Sequence, residues 1–221
     1  MKYIYHHLGL GDHIICNGLV RHFKESHDKI FVFCKPHNFD NVDYMYRDDE
    51  NIEILPIGED IDVNKYIMNN NIQKNVILVG FGELSKYMSM FTFDESFYKI
   101  VNLPFEYRFT KFKFIRDNEK EIEAYNKLNP NNEKYIFVHG DLNRNKIRTD
   151  LKIIENSTEF KIFDLLKIIE NAEEVHLMES SIKCLVNSFK FDKPTFFYHQ
   201  YVRNYSESLN SKGINKFNKI L

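Results

Sequence analysis

Apolar and polar positions follow two rhythms through the first half of the chain. Tyr3-Ile4-Tyr5 is a short run of strand type, and Ile14, Ile15, Leu19 and Val20 recur at helical spacing, which predicts a helix over 13–25. Lys29 to Cys34 encloses Ile30-Phe31-Val32-Phe33, a continuous run of the kind a buried strand carries. Ile52 to Leu55 and Asn75 to Val79 read as a third and a fourth strand, with helical segments over 38–46 and 61–68 between the strands. Strands alternating with helices predict a parallel sheet with helices on both faces. Gly80-Phe81-Gly82 ends the fourth strand as a second glycine turn on the same sheet edge as the first.

The rhythm then breaks. Residues 88–98 are aromatic and irregular, which suits either core packing or the lining of an acceptor pocket. A strip from Phe112 to Asp117 leads into an amphipathic helix over 119–128, and Asn129-Pro130-Asn131-Asn132 is the clearest punctuation in the chain. Beyond it the pattern restarts. A strand over 134–138 ends at His139-Gly140-Asp141, and a polar loop follows over 142–150. Then come a helix over 162–171, whose inner face is Ile162, Leu165, Leu166, Ile168 and Ile169, and a strand over 174–178. A helix runs from Glu179-Ser180-Ser181 to Phe189, the last strand lies over 194–198, and a terminal helix and tail cover 202–221. The predicted fold class is α/β: two small Rossmann-like parallel-sheet domains facing a cleft. They span residues 1–115 and 116–221, with a hinge between 112 and 132. One extended sheet is the alternative.

Composition narrows the function classes. A chain of 221 residues with 43% hydrophobic content has enough material for one large core or two small ones. Lys+Arg number 30 against 32 Asp+Glu, a net charge of -2, which argues against the basic excess of a nucleic-acid binder. Cys16, Cys34 and Cys184 are odd in number and lack C-x-x-C spacing, so neither a disulfide framework nor a zinc site is indicated. Reduced thiols, an opening strand in place of a signal peptide and no apolar run near the ~18 residues of a membrane span lead to an expected cytoplasmic location.

Candidate chemistry gathers at the first turn, Gly9-Leu10-Gly11-Asp12-His13. The glycines permit close approach to the backbone, and Asp12 is expected at the helix cap. An ordinary capped turn is the plain alternative. A dinucleotide fingerprint fails because Ile14 stands where the third glycine belongs, and no acid follows Phe31-Val32-Phe33-Cys34. A Walker loop fails for want of Gly-Lys-Ser/Thr. Gly9-Leu10-Gly11-Asp12-His13 opening a helix resembles the N-terminal loop of GT-B glycosyltransferases, above all the heptosyltransferase-like group. The resemblance implies Asp12 as general base, His13 as the alternative base or an acceptor ligand, and Gly9, Gly11 and Gly80 on the acceptor side.

In the second half, Ser180 and Ser181 open a helix behind a buried-type strand. Its unpaired N-H groups and dipole can take an anion, although a simple serine cap has the same appearance. Phe163-Asp164, residues 168–176 and Ser180-Ser181 resemble the nucleotide-sugar half of GT-B transferases. There this helix start, here Glu179-Ser180-Ser181, takes the donor's diphosphate. His139, with Arg144, Lys146 and Arg148 alternating along a loop, is a matching cationic piece, and a solvated surface loop is its alternative. Fucosyltransferases of the GT-B type carry a comparable strand-end histidine with arginines, but their arginine-rich motif is absent here.

His6 and His7, neighbours at a strand end, point to opposite sides and do not suit one metal. Asp60-Ile61-Asp62, formally an Asp-x-Asp, reads as a helix start with acids in its first turn. The resemblance therefore implies sugar transfer from a nucleotide-diphosphate donor to a glycan or other hydroxyl acceptor. It implies an inverting reaction with no metal and no cofactor besides the nucleotide sugar. A nucleotide-sugar epimerase or hydrolase on the same frame, and a non-catalytic sugar- or nucleotide-binding protein, are the alternatives from other classes.

Overall fold

The structure, a computed structural model, describes residues 1–140, 147, 149–200 and 213–220. They divide into two compact units, Met1–Ile115 and the described residues from Arg116 onward. The first unit runs β1 (Lys2–Tyr5), α1 (Leu10–Glu25), β2 (Ile30–Cys34), α2 (Phe39–Tyr46), β3 (Ile52–Pro56), α3 (Asp60–Asn69) and β4 (Val76–Leu78). Three helices complete it: α4 (Gly82–Met88), α5 (Phe93–Ile100) and α6 (Tyr107–Thr110). Its four strands are all parallel in the order β3-β2-β1-β4.

The helix α1 is buried from His13 to Val20 without a break, so it packs on more than one side. Two of its interior positions, Asn17 and Gly18, serve the segment that closes the unit. The Asn17 amide donates to the Lys113 carbonyl at 3.1 Å and accepts the Lys113 N-H at 2.9 Å. Gly18 lies directly under the Tyr107 backbone. The Tyr98 hydroxyl donates to the Ile15 carbonyl at 2.8 Å. Between α5 and α6, Asp94 and Arg108 form an ion pair with both side chains fully buried. Neither charge is tolerable there without the other.

The second unit runs α7 (Asn118–Leu128), β5 (Tyr135–His139), β6 (Lys152–Glu155), α8 (Leu166–Asn171), β7 (Glu174–Leu177), α9 (Ser181–Val186), β8 (Thr195–His199) and β9 (Phe217–Ile220). Its sheet is parallel throughout, in the order β6-β5-β7-β8-β9. Tyr135, Phe137, Val175, Leu177 and Phe196 share one face of it with Leu165, Ile168, Ile169, Ile182 and Val186 packed above. The Tyr135 hydroxyl is satisfied by the Ile168 carbonyl at 2.7 Å.

Two parallel sheets bear out the α/β, two-domain expectation against the single extended sheet. Several elements differ from the pattern reading. The irregular stretch after Gly80 is two helices, and Thr92 and Glu95 form a reciprocal capping box that starts α5. The helix over 162–171 shrinks to Leu166–Asn171. β6 was hidden because it is short and at the sheet edge, with Ile153 exposed. The terminal helix is corrected by β9, which pairs in parallel with β8 over 217–220. Residues 201–212 lie outside the described residues.

A methyl group at position 18 would fall onto the Tyr107 carbonyl oxygen and 2.9 Å from its carbon, both backbone atoms. Gly18→Ala should therefore cost about 1–3 kcal/mol, read from urea unfolding midpoints. An unchanged midpoint would mean that α6 does not press on α1.

Candidate functional site

Open parallel sheets bind ligands beyond the carboxyl ends of two adjacent strands whose connections leave in opposite directions. In the first unit those strands are β1 and β4. β1 runs out through His6-His7-Leu8 into Gly9, which is the N-cap of α1. The Asp12 and His13 amides both donate to the Gly9 carbonyl, at 3.0 and 3.1 Å. Asp12 is thus the third residue of α1, a correction to its expected cap position: the extended Gly9 already starts the helix at Leu10. The Asp12 carboxylate folds back over Gly9, with Oδ2 2.7 Å from where a Cβ would stand. Gly9 is the residue that leaves room for this acid. Gly11 lies in the same first turn, half-buried.

Across the gap, β4 is followed by Val79, whose amide donates to the Tyr5 carbonyl at 2.8 Å. Gly80 then adopts φ +103, and a Cβ on it would press on the His7 ring and on Phe97 at 3.0–3.1 Å. Phe81 follows at φ 56, ψ -133, a costly conformation for a residue with a side chain. Its N-H donates to His7 Nε2 at 3.0 Å, and its ring lies 4.5 Å from Tyr5 and 4.8 Å from His7. The bond fixes His7 with Nε2 unprotonated, and burial lowers its pKa. A cavity of about 430 Å³ opens between His7, Gly9 and Phe81 and the post-β2 turn bearing Lys35, His37 and Asn38, with Asp60 also in its wall. Asn38 ties the two turns together through the Leu8 carbonyl at 3.0 Å. Asp60 accepts from Tyr5 at 3.0 Å, and Lys35 donates to Glu59 at 2.7 Å.

Of the residues expected on the acceptor side only Gly9 lines this cavity; Gly11, Asp12 and Gly80 do not, and neither does His13. Its ring is fully buried and meets His6 edge-on at 4.4 Å. His6 Nδ1 donates to the His7 carbonyl at 2.5 Å, while His6 Nε2 and both His13 nitrogens find no partner among the described residues. Burial holds the His6 pKa down at about 4 and the His13 pKa well below its ordinary value. His6 and His7 do diverge, one into the core and one onto the Phe81 turn. Among the described residues no group of three or more His, Cys, Asp or Glu could hold a metal ion.

In the second unit the corresponding strands are β5 and β7. The Met178 N-H donates to the His139 carbonyl at 3.0 Å, which joins the two strand ends. His139, Gly140, Glu179, Ser180 and Ser181 therefore gather at one crevice. Burial lowers the His139 pKa. Ser180 is the N-cap of α9: its hydroxyl accepts the Lys183 N-H at 3.3 Å and donates to the Met178 carbonyl at 3.2 Å. Ser181 is half-buried beside it. Arg144, Lys146 and Arg148, expected in the cationic loop, lie outside the described residues. Sequence reasoning missed Lys183, a buried lysine whose Nζ contacts Glu179 Oε2 at 2.7 Å. Its signal was a cation four residues after an acid across a helix start. It also missed Lys35 and His37, placed by the Lys-Pro-His turn after β2. Behind the crevice, His176 bridges Glu174 at 3.0 Å and His199 at 2.9 Å, and burial lowers the His199 pKa to about 4.

No protein-family model matches this sequence, and no curated protein does either. Among solved structures, the crystal structure of the glycosyl transferase family 9 from Veillonella parvula DSM 2008 is similar, with a TM-score of 0.62 at 9% identity. The likeness covers 99% of this chain and 85% of that one. Two parallel sheets and a likeness over nearly the whole chain give this protein the two-Rossmann plan of the GT-B fold. No helix among the described residues is long and apolar enough to cross a membrane.

The buried His6 and His13 give stability a definite sign with pH. Their native pKa values lie below the ordinary 6.5. The unfolded chain therefore takes up protons that the native one refuses as pH falls from about 6.5 toward 4. Stability should be complete above pH 6.5 and drop toward pH 4, with His6 contributing about 3 kcal/mol at full effect. Denaturant unfolding at stepped pH reads the slope, and His13→Leu should flatten it. Equal stability at pH 7 and pH 4.5 would contradict the burial of this pair.

Proposed function

We propose that this protein is a glycosyltransferase that moves a sugar from a nucleotide-diphosphate donor to a hydroxyl acceptor, by an inverting, metal-independent route. The observation that carries the reading is the gathering of residues at both strand-end crevices. In the first unit Asp12 folds over Gly9 at the end of β1 while Gly80 packs against His7 after β4, and in the second His139 is joined to the turn that carries Glu179, Ser180 and Ser181. The GT-B fold supports it. Asp12 is the proposed general base, taking the proton from the acceptor hydroxyl as that oxygen attacks the anomeric carbon while the nucleoside diphosphate departs. The cavity beside His7 and Phe81 is the proposed acceptor pocket: it has an aromatic wall for a sugar face, and Asp60, Lys35 and His37 for its polar groups. His13, enclosed against His6, is assigned a supporting place under the turn. His139 and the α9 start are the proposed diphosphate side, joined by Arg144, Lys146 and Arg148 on sequence grounds alone.

Thermal-shift measurements with UDP, GDP, ADP and CMP conjugates should raise the melting point for one base, because a ligand that favours the native state stabilises it. Asp12→Asn should then lower sugar transfer to a panel of hydroxyl acceptors by roughly 10²–10⁴-fold, with nucleotide binding unchanged. Conversion of the free donor without any acceptor would favour an epimerase or hydrolase, and product with retained anomeric configuration would defeat the single-base mechanism.

A further inference from the structure

Lys183 stands where local physics disfavours it. It is the third residue of α9, so its charge lies at the positive end of the helix. Its side chain is only 5% exposed, a depth at which lysine requires a partner. Nζ lies 2.7 Å from Glu179 Oε2 and 4.2 Å from the centre of the Tyr198 ring. The Tyr198 hydroxyl donates to the same Oε2 at 3.3 Å. Tyr198 is itself buried on β8, in register with Leu177 of β7. A lysine from α9 and a tyrosine from β8 thus converge on one carboxylate oxygen of the turn after β7. Stability alone does not call for this, since apolar residues in place of a buried ion pair are often as stable or more so. What the pair supplies is a carboxylate of fixed orientation and cancelled charge, at the crevice that also holds His139.

We propose that Lys183 is a positioning residue that, with Tyr198, holds Glu179 by Oε2 and presents Oε1 to hydroxyl groups of the donor's sugar. The inference rests on the glycosyl-transfer reading above and refines it. An ionised carboxylate has no proton to give a phosphate oxygen, but it accepts well from a hydroxyl. Glu179 thereby becomes the residue that tells a nucleotide sugar from a free nucleoside diphosphate.

Isothermal titration of UDP-glucose, GDP-mannose and ADP-glucose, each against its free diphosphate, tests this. The wild-type protein should prefer one conjugate over its diphosphate. Lys183→Met and Glu179→Gln should each weaken that conjugate about tenfold and leave the free diphosphate within about twofold, which erases the preference. Lys183→Arg should restore most of it, and Tyr198→Phe should reduce it by a smaller factor. Equal weakening of conjugate and diphosphate in Lys183→Met would make Lys183 a phosphate ligand or a mere structural prop, and no change in either would remove it from the site. Both results overturn this proposal alone. If Lys183→Met fails to fold, Glu179→Gln and Tyr198→Phe carry the same comparison. A wild-type protein that binds none of the six compounds overturns the glycosyl-transfer reading together with this one.

Discussion

Parallel strand pairing is the constraint on which both candidate crevices depend. A parallel strand cannot return by a tight turn, so each connection crosses over the sheet and re-enters at the same end. In the order β3-β2-β1-β4 the chain leaves β1 toward one side and reaches β4 on the other. The strand ends between them stay uncovered. The ladder bond from Val79 to the Tyr5 carbonyl sets how far apart those ends lie, and the bond from Phe81 to His7 closes the floor of the gap. In β6-β5-β7-β8-β9 the same geometry recurs at β5 and β7, with the bond from Met178 to His139 in the corresponding place. The residues that reach a ligand-facing edge are thereby decided by backbone pairing before any side-chain chemistry enters.

Charged and imidazole side chains are buried in both units and must find partners there. Asp94 takes Arg108, Glu179 takes Lys183, and Glu174, His176 and His199 form a chain. His6 and His13 instead meet edge to face, with three ring nitrogens unpartnered among the described residues. Two neutral imidazoles are the least costly polar groups to leave in that state, which is why burial drives their pKa values down.

Much of this was legible in the sequence, for identifiable reasons. Ile30-Phe31-Val32-Phe33 and Tyr135-Ile136-Phe137-Val138 announce central strands because both of their faces must be apolar. Gly80 announces a turn, and its φ of +103 shows why a glycine stands there. The edges were harder. Lys152 to Glu155 has only one apolar partner face, and β9 belongs to the sheet through pairing with β8 rather than through its own pattern. Thr92-Phe93-Asp94-Glu95 carried a capping-box signature that the surrounding aromatics obscured. Lys183 and His13 were illegible in a different way. The i, i+4 spacing from Glu179 hints at a pair but does not say that the lysine is buried, and nothing local says that a histidine beside Asp12 turns inward.

The two crevices differ in what they hold under strain, and that difference bears on how work divides between them. The β1/β4 crevice contains a phenylalanine at positive φ and, behind the turn that carries Asp12, the His6-His13 pair with three ring nitrogens unpartnered among the described residues. The β5/β7 crevice contains a capped serine whose hydroxyl both donates and accepts, and a carboxylate already bonded to a lysine and a tyrosine. Strain persists where a surrounding structure over-determines it, and it gathers at places that must be preorganised for reaction. Satisfied polar clusters instead suit recognition, because a ligand meets groups that need no rearrangement. The proposed base in the strained crevice and the proposed donor contacts in the satisfied one follow that division, each on physical grounds independent of the other.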